Sequence, residues 1–339
     1  MAHSHNQRIF YAVQAVAICS QGKDTLANTD IVKGLQSVGM SSSFTLDQVF
    51  EMGQVAIYEN IEEVADIEVT LEKVIDGYKL LYDLATNGVC KTSLVGASKE
   101  RTDVYLAVYN DGQDNATGVP ETVCMNSGMY VSSVAYSYSI DGSATESVTM
   151  VGNDRFWNTT KGVIGKAPTA IWGSTGTGLA TGFDSDTPKS GVVRRVNVDI
   201  LNSVLPEEVT LQRGNDAVNL SGGNHIQSVS VSTDFGQENI QELGRFGPYH
   251  RYATFPIEVT SEFEVIATSG DLVSVSGTAP NLQNRTITIQ DTAGTILTLG
   301  TKNKLSSVSY SGADTGGGNA TVSYSFSNFN VLTVEGGAT

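Results

Sequence analysis

Three cysteines, four histidines and 20 basic residues against 36 acidic ones are all that 339 residues offer for many kinds of chemistry. Each shortage excludes something. Cys19, Cys90 and Cys124 are odd in number and have no CxxC spacing, so they make neither a disulfide framework nor a zinc knuckle. Their expected role is as small buried residues of a chain made in a reducing cytoplasm. A formal charge of −16 has the wrong sign for a groove that grips phosphates, although many proteins are acidic only to stay dispersed. No apolar run approaches the length of a membrane span, and the first residues lack a basic stretch followed by an apolar core. A soluble chain without an N-terminal secretory signal is expected.

Groups that could catalyse or bind do not converge. His3 and His5 sit at the start, and His225 and His250 show no HxxxH or HxH spacing. His250, inside Pro248 to Tyr252, reads as part of a loop packing on aromatics. There is no GxSxG elbow, Walker A lysine or GxGxxG turn. The glycine-rich stretch 173–182 is followed by no Lys-Ser or Lys-Thr and reads as a flexible loop. Asp111, Asp114 and Asn115, like Asp184 and Asp186, lack the spacing of a calcium loop, and turn chemistry accounts for both sets. The acidic run from Glu59 to Glu68 has no acid–base setting. It reads as a solvated face or as an electrostatic contact between subunits. No catalytic, cofactor-binding or metal-ligating residue is assigned, and a protein without enzymatic activity is expected.

Glycine is abundant, and Ser, Thr, Val and Asn recur, a mixture suited to short strands and tight turns. Ile9 to Ile18 reads as a first strand. Ile67 to Val74 alternates apolar and acidic residues as a half-exposed strand does. Tyr78 to Ala85 places Leu80, Leu81, Leu84 and Ala85 at helical spacing, and Asn87-Gly88 supplies a left-handed stop. Val104 to Tyr109 is a further strand. In Val131 to Ile140 and again in Thr321 to Phe326, large apolar residues alternate with serine, giving one apolar and one hydroxyl-rich face.

The pattern occurs twice, in order. Leu35 to Val38 returns as Ile226 to Val229, an offset of 226 − 35 = 191, which also pairs Ser41 with Ser232, Phe44 with Phe235, Gly53 with Gly244 and Tyr58 with Tyr249. Ile67 to Thr70 reappears as Ile257 to Thr260, at 190, and Ser132 to Val134 as Ser306 to Val308, at 174. A unit of this length suits a whole small domain and is too long for a solenoid repeat. The expected division is a first β domain over 1–155, an insertion or linker over 156–190 and a second β domain over 191–339. Arg194 to Leu205 is expected to begin the second domain as Ile9 to Ile18 begins the first. The counterpart of the helix, Gly270 to Gly277, reads more like a strand. The insertion reads equally as an arm that touches a neighbour or as an exposed linker.

Two segments carry a family resemblance. One runs Asn239 to Tyr249 (NIQELGRFGPY), Pro256 to Thr260 and Glu262 to Val265. The other runs Leu46 to Tyr58, Ile67 to Thr70 and Asp76 to Leu84. Both copies resemble the major tail tube proteins of tailed bacteriophages, although the first has Ala56-Ile57 where the second has Gly247-Pro248. The resemblance implies a mainly β fold of two tandem sandwich or barrel domains, each with a short flanking helix. It implies a structural virion protein that forms stacked rings around a channel for genome ejection. Six single domains usually make such a ring, so a double-domain chain would make a pseudo-sixfold homotrimer. Implied partners are the chain itself, tail sheath or terminator and baseplate proteins, and DNA passing without specific binding, with no membrane and no cofactor. The place implied is the virion tail, assembled in the host cytoplasm. A two-domain receptor-binding or adhesin-type protein is the alternative; a β-rich hydrolase is disfavoured for want of a nucleophile and base.

Overall fold

The computed structural model describes residues 8–23, 26–112, 114–116, 120–158, 189–201, 210–211, 223–267, 273, 277, 282–313, 315 and 317–336. Strands dominate. The first copy holds β1 (Gln14–Ser20), β2 (Leu35–Ser43), β3 (Leu46–Phe50), β4 (Ile57–Glu62) and β5 (Asp66–Val74). Two short helices follow, α1 (Leu81–Ala85) and α2 (Leu94–Ala97), then β6 (Thr102–Val108), β7 (Thr122–Ser139), β8 (Thr145–Gly152) and β9 (Asp154–Asn158). The second copy holds β10 (Val198–Leu201), β11 (Thr210–Leu211), β12 (Gly223–Asp234), β13 (Gln237–Ile240), β14 (His250–Ala253) and β15 (Glu258–Ile266). It ends with β16 (Thr288–Asp291), β17 (Ile296–Thr298), β18 (Lys304–Ser311), β19 (Thr321–Phe329) and β20 (Thr333–Glu335).

Each copy is a sandwich of two sheets in the same order. In the first, β7-β8-β5-β2 form one layer, while β1-β6 and the leading half of β7 with β9 form the other. In the second, β18-β19-β15-β12 form one layer and β10-β16-β17-β20 the other. The long β7 serves both layers because it bends at Gly128, whose φ of 66° lies in the left-handed region. The buried Asp103 carboxylate fixes that bend by accepting from Ser127 Oγ (2.8 Å) and Gly128 N (2.9 Å). The second copy breaks the strand outright, into β17 and β18 on either side of Gly300, which also has positive φ.

Correspondence between the copies extends to irregularities. Gln36 is an extra residue in the β2·β5 ladder, and Gln227 is the same extra residue in β12·β15. Ser132 and Ser306 are the matching bulges in β7·β8 and β18·β19. These fix the equivalences at 191 for β2 and β12 and at 306 − 132 = 174 for β7 and β18. Both first strands are entered through a 3-10 turn, Tyr11–Val13 before β1 and Arg195–Asn197 before β10.

Two expectations need correction. The Ile67 and Ile257 tetrads are not structural equivalents: Glu72 of β5 matches Glu264 of β15, an offset of 264 − 72 = 192. A two-residue slip keeps every side chain on its own face, so the matching of letters survives it. The helix is also shorter than Tyr78 to Ala85. It begins only at Leu81, because the Glu146 carboxylate accepts from Leu81 N (2.5 Å) and Tyr82 N (3.0 Å) and so takes the place of a side-chain cap. Its end is as expected, with Asn87 and Gly88 both left-handed. Of the second copy's helix counterpart, Gly270 to Gly277, only Val273 and Gly277 are described, and the glycine-rich stretch 173–182 lies outside the described residues.

Candidate functional site

The two front layers are joined into a single eight-strand path, β18-β19-β15-β12-β7-β8-β5-β2. Its middle joint is antiparallel pairing of β12 with β7, from Ser228 against Ser139 to Asp234 against Ser133. One tile's β2-type strand therefore meets the other tile's β7-type strand. The same two strand types, β2 and β18, are left at the outer edges with no partner on their far sides among the described residues. A sheet edge with free N–H and C=O groups is a template for another strand.

On its core-facing side the joint inside the chain is apolar and covered. Tyr136, Tyr138, Val229, Val231 and Phe235 are all buried. At roughly 1.5–3 kcal/mol per large apolar side chain, five of them contribute on the order of 10 kcal/mol. Phe235 N donates to Ser132 O (2.8 Å), and its ring lies 6.2 Å from Tyr82. The β13–β14 hairpin then folds over the first tile. Gln237 Nε2 donates to Val131 O (2.9 Å), Tyr130 Oη and His250 Nδ1 stand 2.9 Å apart, and Arg251 bridges Asp66 (2.5 Å) and Asn153. His250 thus packs on aromatics as expected, with Tyr130, Tyr249 and Tyr252 around it, but from a strand and not a loop. Burial and the charges of Arg101 and Lys99 hold its pKa below the ordinary imidazole value.

The equivalent residues at the outer edges are bare. Phe44, the counterpart of Phe235, is 72% exposed where Phe235 is 0%. Tyr310, the counterpart of Tyr136, is 54% exposed where Tyr136 is 1%. The β3–β4 hairpin, equivalent to β13–β14, is exposed along its whole length and carries Leu46, Phe50, Ile57, Tyr58 and Ile61 uncovered. At the hairpin tips, Met52 and Val55 match Leu243 and Phe246, and all four are largely exposed.

The faces of the path differ sharply. One packs on the back layers and joins both copies in a continuous core that includes Leu71, Tyr82, Tyr136, Val231, Phe263 and Tyr324. Within it Glu146 is fully buried and also accepts from Tyr136 Oη (2.9 Å), and burial raises its pKa. The other face carries Ser and Thr from every strand, with Glu68 and Glu72 from β5 and Glu262 and Glu264 from β15. Ser37 Oγ donates to Glu72 and, at the matching place, Ser228 Oγ donates to Glu264. A shallow trough of about 450 Å³ on the second copy's part of this face is lined by hydroxyls, among them Ser228, Ser230, Ser309 and Ser323, and by the carboxylates of Glu262 and Glu264.

Of the residues weighed for chemistry, Asp111 accepts from Arg8 N and Asn110 Oδ1 caps the turn at Gly112. Asp184 and Asp186 lie outside the described residues. Among the described residues no group of three or more His, Cys, Asp or Glu side chains could hold a metal, and no helix is long and apolar enough to cross a membrane. All three cysteines are buried, and none forms a disulfide.

No protein-family model matches the chain, and no curated protein matches it. Among solved structures, the tube-terminating cap of the anti-feeding prophage is similar to 47% of this chain and 100% of its own, at 12% identity and a TM-score of 0.34. A chain of the baseplate of the anti-feeding prophage is similar to 45% of this chain and 97% of its own, at 13% identity and a TM-score of 0.31. At these values neither likeness bears on function, which has to be read from the sheet and its edges.

Proposed function

We propose that the chain is a structural subunit that closes with its own copies into a ring, and that rings stack into a tube serving as a phage tail channel. One observation carries this reading. The joint between β12 and β7 inside the chain is a worked example of the joint that β2 of one chain and β18 of the next would make. A head-to-tail interface makes a ring where its rotation closes and an open filament where it does not, and the proposal is that this one closes.

Three chains would give 3 × 8 = 24 strands around the wall. At a strand spacing of about 4.8 Å and a tilt of about 40°, that wall is about 48 Å across, leaving roughly 35–40 Å inside the side chains. Two chains would give 16 strands and a wall about 32 Å across, leaving roughly 20–24 Å inside the side chains. Since the apolar face is already covered by the back layers, the hydroxyl- and carboxylate-bearing face lines the lumen. Such a wall repels phosphates and lets a nucleic acid pass without sticking. The paired apolar tips, Met52 with Val55 and Leu243 with Phe246, supply one prong per tile for stacking on the next ring. The role is mechanical and needs no enzymatic group. Sheath or terminator and baseplate proteins would meet the outer surface and the ends of such a tube, which would belong to the virion and be assembled in the host cytoplasm.

Native mass spectrometry and negative-stain microscopy of concentrated protein test the reading. Rings of three chains, alone or stacked, are expected; a protein that stays monomeric at all concentrations overturns it.

A further inference from the structure

We infer that the joint between chains is held by an ion pair, Glu59 of one chain with Lys304 of the next. It stands where the joint within the chain uses His250 and Tyr130. The inference rests on the ring reading and adds to it the chemistry that sorts one joint from the other.

The equivalences come from the ladders themselves. Tyr130 lies opposite Val151 just before the Ser132 bulge, and Lys304 lies opposite Ser327 just before the Ser306 bulge, so Lys304 occupies the place of Tyr130. Val49 pairs with Glu59 in the β3–β4 hairpin as Ile240 pairs with His250 in β13–β14, so Glu59 occupies the place of His250. Within the chain the two side chains meet at 2.9 Å. Placing a neighbour's β2 along β18 in the register of β12 along β7 brings Glu59 over Lys304. Both residues are exposed in the single chain.

The remaining charges at the two joints change in step. Inside the chain, Arg251 of the hairpin meets Asp66. At the outer edge the counterparts are Asn60 and Glu258, a neutral amide over a carboxylate. Each joint therefore holds one ion pair, moved by one residue along the hairpin. The exchange penalises wrong docking. A β3–β4 hairpin seated on the inner site would set Asn60 against Asp66, leaving that carboxylate without its guanidinium, and would set Glu59 against Tyr130 beside Arg101 and Lys99. A β13–β14 hairpin seated on the outer site would keep one pair, Arg251 with Glu258, but would set the imidazole of His250 against Lys304 and leave that ammonium without a carboxylate. A charge left unpaired in the wrong arrangement lowers its affinity and so favours the right one.

The test is charge reversal in the full chain, read by sedimentation velocity and native mass, with thermal melting as a control for folding. E59K and K304E alone are each expected to raise the concentration needed for ring formation about tenfold or more. The double variant E59K/K304E is expected to return within about threefold of the wild type, because the pair is restored with its signs exchanged. Melting of the single chain should not change, since both side chains are exposed. If the wild type forms rings but the single reversals do not weaken them, or the double is no better than the singles, the ion pair is refuted and the ring reading stands. If the wild type forms no rings, both fall.

Discussion

Replacing Phe44 with alanine separates assembly from folding, because its twin Phe235 has already been through the same burial inside the chain. Phe235 is fully buried at the inner joint, while Phe44 is 72% exposed in the single chain. Full burial of a phenylalanine side chain stabilises by up to about 3 kcal/mol, so covering what Phe44 exposes is worth about 2 kcal/mol per joint. That is roughly a 25–30-fold change in each pairwise association constant, and on the order of 6 kcal/mol over three joints in a closed ring. F44A should therefore melt like the wild type yet need a much higher concentration to close, as measured by sedimentation velocity or mass photometry across a dilution series. F235A should behave in the opposite way. It opens a cavity beside Tyr82 inside the fold, so the single chain should lose about 3–5 kcal/mol of stability. If F44A assembled at wild-type concentrations, Phe44 would not be the outer counterpart of Phe235, and the equivalence of the two joints would be wrong.

Other outcomes follow from the same geometry. Changing Met52 and Leu243 to serine together should leave rings intact and prevent them from stacking, visible by microscopy as single rings where the wild type gives tubes. A mixture of E59K with K304E should form good joints only between unlike chains. Closed rings of three must contain one like joint, so native mass should show open dimers and few closed trimers; abundant closed trimers would contradict the pairing. Glu146 has a raised pKa through burial, so over the window between the ordinary carboxylate value and that raised value the folded chain holds a proton the unfolded chain has lost. Stability should fall as pH rises through this window, by urea midpoints. E146Q should abolish that slope. It should also cost about 1–3 kcal/mol, because an amide cannot accept from all three donors at Leu81, Tyr82 and Tyr136.

Much of the fold can be read in the residues, and the limits of that reading have physical causes. Alternation from Val134 to Ile140 and in Thr321 to Phe326 gives both faces of the sheet, because successive side chains of a regular strand point to opposite sides. Asn87-Gly88 marks a helix end because its chemistry is local. The start of that helix depends on Glu146, far away in sequence, and no local pattern could show it. The Ile67 and Ile257 tetrads match as letters but sit two residues out of structural register, since alternation tolerates a slip of two. Phe44 and Phe235 align at once from the repeat, yet only the ladder order shows that one is covered and the other bare. The difference lies not in either residue but in which edge the chain happens to end on. The equivalence of the two edges is therefore legible as a repeat, while the exposure of one of them is not. The acidic run from Glu59 to Glu68 reads either as a solvated face or as a contact between subunits, and the partner proposed for Glu59, Lys304 on β18, is reached only through the bulges.

A pair of cysteines across the proposed joint tests the central claim most directly. Ser232 faces Ala135 at the inner joint, so Ser41 of one chain should face Ser309 of the next. Opposed residues in an antiparallel pair stand about 4.5–5.5 Å apart at Cα, within disulfide reach. In a single chain the two positions lie on strands seven spacings apart, on the order of 34 Å, so they cannot join to each other. Oxidised S41C/S309C should run as covalent dimers and closed trimers on a non-reducing gel, each collapsing to the single chain on reduction. Persistence of the single chain alone, under conditions where the protein is concentrated and the new thiols are consumed by no other reaction, would contradict edge-to-edge closure.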